Sequence, residues 1–280
     1  MEKIGILGLG KMGSAIAQRM QAEGHVVTSW TRSGRTVDGV PFATLPEVVG
    51  ASDTLLLSLY DDAAVASVLD AVLGLDLHGK QIIETSTVVP DVLKDRIEQI
   101  SAKGATAVDA PISGGPDMVG AGTCGVLMGG TDTAAARARE TLSSLTQRIF
   151  HVGPLGAGLV MKTINNGMLQ VYFSGLDELL PLAKDAGIPF ETVITILLNG
   201  PAGIPMLKDR LPKILGTDDQ VGFTIEAAHK DNTVFQRVVK AAARETPILQ
   251  RAGQRQTTAI KAGLGQDDPA ALVRFSYDRK

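Results

Sequence analysis

One stretch near the start, "KIGILGLGKMGSAIA" from Lys3 to Ala17, constrains the fold more than any other. A short apolar run is followed by glycines at Gly8, Gly10 and Gly13, and then by a segment that places Met12, Ile16, Ala17 and Met20 on one helical face. In a strand that passes into a helix this way, each glycine has a separate task. The first permits a tight turn, the second lets the backbone approach a pyrophosphate, and the third lets helix and strand pack closely, with the helix N-terminus facing the anion. The spacing therefore predicts a helix over 11–23 and a dinucleotide-binding loop of Gly8, Leu9, Gly10, Lys11, Met12 and Gly13.

The following chain alternates in the same way. β-type runs occur in "HVVTSW", "TLLLSL", "QIIET", "TAVDAP", "GVLMGG" and "RIFHVG", with helical patterns between them. Such alternation indicates parallel strands covered on both faces by crossover helices. The strand runs stop near Val152, and beyond it the patterns are helical, beginning with a stretch from Gly158 to Ala186 of ~43 Å if continuous. Gly167, Gly175 and Pro181 make that stretch a candidate for bending. The expected architecture is an α/β N-terminal domain of Rossmann type with a mostly parallel sheet, residues 1–155. An all-α C-terminal domain for substrate and oligomerisation follows, residues 156–280, and a long interdomain helix joins them.

Composition narrows the class of partner. The 27 Lys and Arg against 30 Asp and Glu leave a formal charge of -3, so nothing in the balance attracts nucleic acid or an anionic membrane. No apolar run approaches the ~18 residues of a membrane helix. Cys124 is the single cysteine, and the opening "MEKIGILGLG" has no secretory pattern, so a reducing cytoplasm is expected. Cys124 is read as a small buried hydrophobe. His151 and His229 have no ligand-type neighbours at metal-site spacing, so no metal is expected.

The second predicted strand ends in "SWTRSGR". An NAD-specific fold keeps a carboxylate there for the ribose 2′-hydroxyl; this chain has Thr31, Arg32, Ser33 and Arg35 instead. Hydroxyls and guanidinium forks suit a 2′-phosphate, so NADP(H) is predicted over NAD(H). Leu59 and Thr87 stand just after predicted strands, at the carboxyl edge where ligands bind, and are candidates to line the cofactor. Asp61 and Asp62 are expected to cap the next helix. In "GLVMKTINNGML", Lys162 and Asn166 share a helical face within an apolar segment, with Asn165 beside them. By spacing alone, a lysine reaching out to water is the commoner outcome.

Four stretches taken together resemble one family, the β-hydroxyacid dehydrogenases, which include 3-hydroxyisobutyrate dehydrogenase and tartronate semialdehyde reductase. They are "GILGLGKMGSAIA", "DAPISGGPDMVGAGTCGVLMGG", "GPLGAGLVMKTINN" and "FTIEAAHKDN", in the family's order and spanning most of the chain. The resemblance implies that Lys162 is the catalytic residue and that Asn166 orients substrate or lysine. It implies that Ser113, Gly114 and Gly115 hold a substrate carboxylate, that Lys230 contacts the cofactor near the nicotinamide, and that Thr87 lies beside the nicotinamide ribose. A small-molecule carbonyl or hydroxy acid is the implied substrate, and a homodimer or homotetramer the implied assembly.

The residue types agree with that chemistry. Hydride arriving at a carbonyl carbon builds charge on the oxygen, which an ammonium can stabilise and protonate. Burial, or a second cation such as Lys230, would lower the lysine's affinity for its proton toward the range where it can exchange. The serine hydroxyl and successive N–H groups of Ser113–Gly115 can form a concave anion site. Two other readings remain: an imine reductase of the same fold, and a non-catalytic cofactor-binding module. Imine reductases generally carry aspartate or tyrosine where this chain has Lys162. The chain departs from the family pattern after Gly115, with Pro116, Asp117, Met118 and Val119, then Thr123 and Cys124, so a differently shaped pocket wall is expected. Tyr172, Met206 and Phe235 are candidates for the substrate end.

Overall fold

The computed structural model describes residues 1–278. The chain divides into two compact units, Met1–Ile164 and Asn165–Lys280. The first holds strands β1 (Lys3–Leu7), β2 (Val26–Trp30), β3 (Thr54–Leu57), β4 (Gln81–Glu84), β5 (Thr106–Asp109), β6 (Ile112–Ser113), β7 (Gly125–Gly129) and β8 (Ile149–Gly153). Its helices are α1 (Lys11–Ala22), α2 (Leu45–Ala51), α3 (Asp62–Leu73), α4 (Asp91–Lys94), α5 (Ile97–Ala102), α6 (Pro116–Gly120) and α7 (Asp132–Leu142). Helix α8 (Ala157–Asp185) starts in this unit and continues into the second. The second unit adds α9 (Phe190–Asn199), α10 (Pro205–Asp209), α11 (Leu211–Ile214), α12 (Ile225–Ala241), α13 (Pro247–Ala259) and α14 (Ala271–Asp278).

The sheet runs β2-β1-β3-β4-β5, all parallel, and then into β7. Every residue of β3 and β4 is buried, as expected for parallel strands covered on both faces. On one face Ile4, Ile6, Leu56 and Val108 meet Ile16, Ala17 and Met20 of α1 and Ala138 and Leu142 of α7. On the other, Leu55, Leu57, Ile82 and Ala107 meet Val48, Val65, Leu69 and Leu159. Both layers follow from the apolar spacing of the helices.

Two features differ from the sequence expectation. Strand β7 is antiparallel to β5 and to β6, and β8 then lies parallel to it on its other edge. The two-residue strand β6 is too short to give a periodic signal. It forms because the chain passes Ala110 and Pro111 without leaving the sheet, with the Pro111 carbonyl accepting the Leu127 N–H at 3.1 Å.

The second unit is built of helices joined by loops, with no strand among its described residues, around a core of Leu176, Leu180, Phe190, Ile194, Leu207, Ile214 and Val273. Phe235 is fully buried on α12. Asp177 of α8 is held by Arg255 of α13 at 2.5 Å. No helix among the described residues is long and apolar enough to cross a membrane.

Candidate active site

The chain leaves β1 for β2 on one side and returns to β3 on the other, so the strand order reverses between β1 and β3. The crevice beyond the carboxyl ends of two such strands is where open α/β sheets bind ligands. Gly8 lies there with φ +110°, and an added Cβ would come 2.3 Å from the Ser58 carbonyl. At Gly13 a Cβ would come 2.0 Å from the Gly8 carbonyl. Neither site admits a side chain, so turn and helix interlock through both glycines. Gly10 is the opposite case, since a Cβ there would meet nothing within 4 Å. It caps α1 without any side-chain hydrogen bond, so the helix begins with backbone N–H groups facing that open space. Lys11 and Met12 form the first turn. An open approach at Gly10 and closed ones at Gly8 and Gly13 fit the pyrophosphate of a dinucleotide.

Beyond β2, the Thr31 hydroxyl donates to the Arg35 carbonyl at 2.9 Å and Gly34 takes φ +72°, closing a turn that leaves Arg32, Ser33 and Arg35 exposed. Thr31 thus shapes the turn from which both guanidiniums project.

The loops after β3 and β4 are stitched together. The Leu59 N–H donates to Ser86 Oγ at 2.8 Å, the Thr85 hydroxyl donates to the Leu57 carbonyl at 2.6 Å, and the Ser86 N–H donates to Glu84 Oε1 at 2.5 Å. Leu59 and Thr87 are both half-buried at this edge. Asp61 caps α3 by accepting the Ala64 N–H at 2.8 Å. Asp62 does not cap; its carboxylate accepts the Val89 N–H at 3.0 Å and ties the loop after β4 to α3.

Lys162 is only 6% exposed, so the side chain does not reach out to water. Its Nζ donates to the Ile112 carbonyl at 2.5 Å. The next residues are Ser113, Gly114 and Gly115, which turn into α6. Gly114 has φ +138°, and a Cβ there would crowd Met118 at 3.1 Å and Cys124 at 3.3 Å. Cys124 is fully buried, burial pushes its thiol up, and its place is behind the glycine loop as a small apolar contact. Asn166 follows Lys162 by one helical turn, and its side-chain carbonyl accepts from the Asn165 amide at 2.9 Å. In the second unit, Lys230 of α12 pairs with Asp231 at 2.7 Å. His151 is structural, with Nε2 2.9 Å from the Gly130 carbonyl. No group of three metal-ligating side chains occurs among the described residues.

Two carboxylates at this edge carried no role in the sequence reading. Asp109, at the end of β5, accepts the Gly156 N–H at 2.6 Å and the Leu159 N–H at 2.8 Å. Glu84 ends β4 directly beside it in register. An acidic residue closing an otherwise apolar strand is the signal that both share.

Residues 3–153 match the family described as the NAD binding domain of 6-phosphogluconate dehydrogenase. Residues 156–276 match the one described as the NAD-binding of NADP-dependent 3-hydroxyisobutyrate dehydrogenase. The 3-hydroxyisobutyrate dehydrogenase of Pseudomonas aeruginosa is 33% identical over 216 residues, 72% of this chain and 71% of that protein. The chain belongs to the β-hydroxyacid dehydrogenase family. The 2-(hydroxymethyl)glutarate dehydrogenase of Eubacterium barkeri is a family relative 28% identical over 97% of this chain and 94% of its own length. A solved Mycobacterium tuberculosis 3-hydroxyisobutyrate dehydrogenase, described with L-serine, shares the fold at a TM-score of 0.88 and 24% identity, covering 98% of this chain and 99% of that one. An imine reductase variant from Myxococcus stipitatus has the fold at a lower TM-score of 0.65. As a β-hydroxyacid dehydrogenase, this protein is an oxidoreductase that binds a nicotinamide dinucleotide.

Proposed function

We propose that this dehydrogenase uses NADP(H) to interconvert a small semialdehyde or keto acid and the corresponding hydroxy acid, with Lys162 as general acid and base. The observation that carries the reading is the buried Lys162 ammonium on the Ile112 carbonyl, immediately ahead of the Ser113–Gly115 loop. A bound nicotinamide dinucleotide supplies or accepts the hydride. In reduction Lys162 stabilises the charge gathering on the carbonyl oxygen and gives it a proton; in oxidation it takes the hydroxyl proton back. Ser113, Gly114 and Gly115 hold the substrate carboxylate through a hydroxyl and N–H groups, and Asn166 orients lysine or substrate. Gly8 to Gly13 cradle the pyrophosphate, while Leu59, Thr87 and Lys230 line the nicotinamide side. Residues 1–155 serve the nucleotide; residues 156–280 serve the substrate and a homodimeric or homotetrameric assembly in the cytoplasm.

NADP(H) preference rests on the exposed Arg32 and Arg35 and on the lack of a carboxylate at the end of β2. Replacing both arginines by alanine is expected to raise the KM for NADPH at least about tenfold, the equivalent of ~1.4 kcal/mol, and to leave the KM for NADH within about twofold. An equal effect on the two cofactors would sink the assignment. An initial-rate screen with NADPH and NADH against succinic semialdehyde, glyoxylate, other keto acids and the cyclic imine 1-pyrroline tests the whole reading. Turnover of carbonyl acids with NADPH is expected, and turnover of the imine alone would reverse it. NADPH binding with no turnover on the whole panel would instead indicate a non-catalytic module.

A further inference from the structure

Helix α8 has no acidic residue in its own first turn. The backbone leading into it passes Gly153 at φ +147° and Gly156 at φ +91°, a region that favours glycine and so leaves no side chain there to cap the helix. Asp109, from a different element, supplies the hold. One carboxylate oxygen accepts the N–H of Gly156, the residue before the helix, and the other accepts the N–H of Leu159, its third residue. Both are among the donors that a helix leaves without partners at its start. Two glycines make room for this carboxylate, since a Cβ at Gly129 or Gly158 would come within 2.5 or 2.8 Å of its oxygens.

Three residues after Asp109, the Ile112 carbonyl accepts from Lys162. The Ser113–Gly115 loop follows at once. Seven consecutive residues therefore anchor the end of the lysine helix, the lysine head and the loop proposed to take the substrate carboxylate. We propose that Asp109 is a positioning residue for the reaction: it fixes the axial register of α8 and so the place of the Lys162 ammonium relative to the Ser113–Gly115 loop. This rests on Lys162 being the proton donor.

Three sets of groups face Asp109. The α8 N–H groups and the Lys94 ammonium on α4 favour its charged form, and Glu84 on β4 stands beside it. Burial outweighs the favourable contacts and pushes the Asp109 carboxyl up to about 6. Protonation takes acceptor capacity and charge away from the helix end, so the hold weakens as pH falls through that value. In carbonyl reduction Lys162 works as the ammonium, a form that falling pH does not remove. An acid limb in kcat with an apparent pKa of about 6 then reports Asp109.

The test compares the full-length wild type with Asp109→Asn and Glu84→Gln, using NADPH with succinic semialdehyde or, if that is turned over more slowly, glyoxylate. Asparagine keeps the size but supplies only one carbonyl acceptor. Asp109→Asn is expected to lower kcat about 100-fold, the scale set by displacing a reacting group by about 1 Å, and to leave the NADPH Kd within about twofold. It should also abolish the acid limb, which persists in Glu84→Gln. Hydrogen–deuterium exchange of residues 156–165 without any ligand should rise about tenfold in Asp109→Asn, as expected when a helix N-terminus loses its hold. Wild-type kcat in this variant, or a lost kcat with unchanged exchange in that segment, overturns the proposal. Should the variant not fold, a wild-type kcat profile flat between pH 5 and 7 overturns it equally. If instead Lys162→Ala keeps its activity, the functional reading fails while the exchange result still decides whether Asp109 holds the helix.

Discussion

Lys162→Ala is expected to lower kcat by about 10³-fold or more in both directions, which corresponds to ~4 kcal/mol of transition-state stabilisation. The Kd for NADPH should stay within about threefold, because the pyrophosphate is held by the Gly8–Gly13 turn and the start of α1, which the substitution does not touch. The variant also strips the Ile112 carbonyl of its donor, a stability cost of about 1–3 kcal/mol if the carbonyl stays dry. Lys162→Met keeps most of the side-chain volume and serves as the control for cavity effects. A small primary amine added to Lys162→Ala should restore part of the rate if the missing group is chemical and not only structural. An alanine variant retaining more than a tenth of the wild-type kcat, measured by NADPH oxidation with the best carbonyl acid, would remove Lys162 from the reaction.

The second large effect concerns stability. Glu84 is fully buried, with Oε1 accepting the Ser86 N–H and Oε2 making no hydrogen bond. Burial pushes its carboxyl from the ordinary 4.5 up to about 7, against the Ser86 hydrogen bonds and with added repulsion from Asp109. The folded protein therefore keeps a proton between pH 4.5 and about 7 that the unfolded chain has released. Stability falls as pH rises across that window, and the full penalty, on the order of 3 kcal/mol, stands above it. Glu84→Gln keeps the acceptor for Ser86 and cannot ionise. It is expected to raise the Tm of the ligand-free protein by about 5 °C or more at pH 8 and to change it little at pH 4.5. Thermal melts at the two pH values decide, and an equal shift at both would mean that the charge of Glu84 is not what costs stability.

Both carboxylates mark the limit of what the chain discloses when read as a string. The β1–α1 turn, the alternating strands and helices and the long lysine helix were legible because each depends on neighbours within a few residues. Glycine spacing sets the turn, and apolar periodicity sets which face of each element is covered. Lys162 itself was legible only as an anomaly, an ammonium in an apolar helix. Spacing favoured a solvated side chain, and the resemblance to a family argued for a catalytic one. Strand β6 escaped because two residues carry no period. Asp62 was misread as a cap because a carboxylate at a helix start serves its own helix or a neighbouring loop equally well, and only the position of Val89 chooses between them.

What the sequence alone determined is the order of the longer elements and the chemistry available at their ends: glycines after β1, arginines after β2, a serine and two glycines beyond β5, a lysine inside α8. What only the tertiary structure decided is how those ends are held together. The Gly156 and Leu159 N–H groups reach a carboxylate 47 and 50 residues away, and the Lys162 ammonium a carbonyl 50 residues away. The physical reason is that periodicity reports which way a side chain faces along its own element. Which distant donor or acceptor it meets is set by sheet order and by the layers packed on the sheet, and no local pattern encodes that.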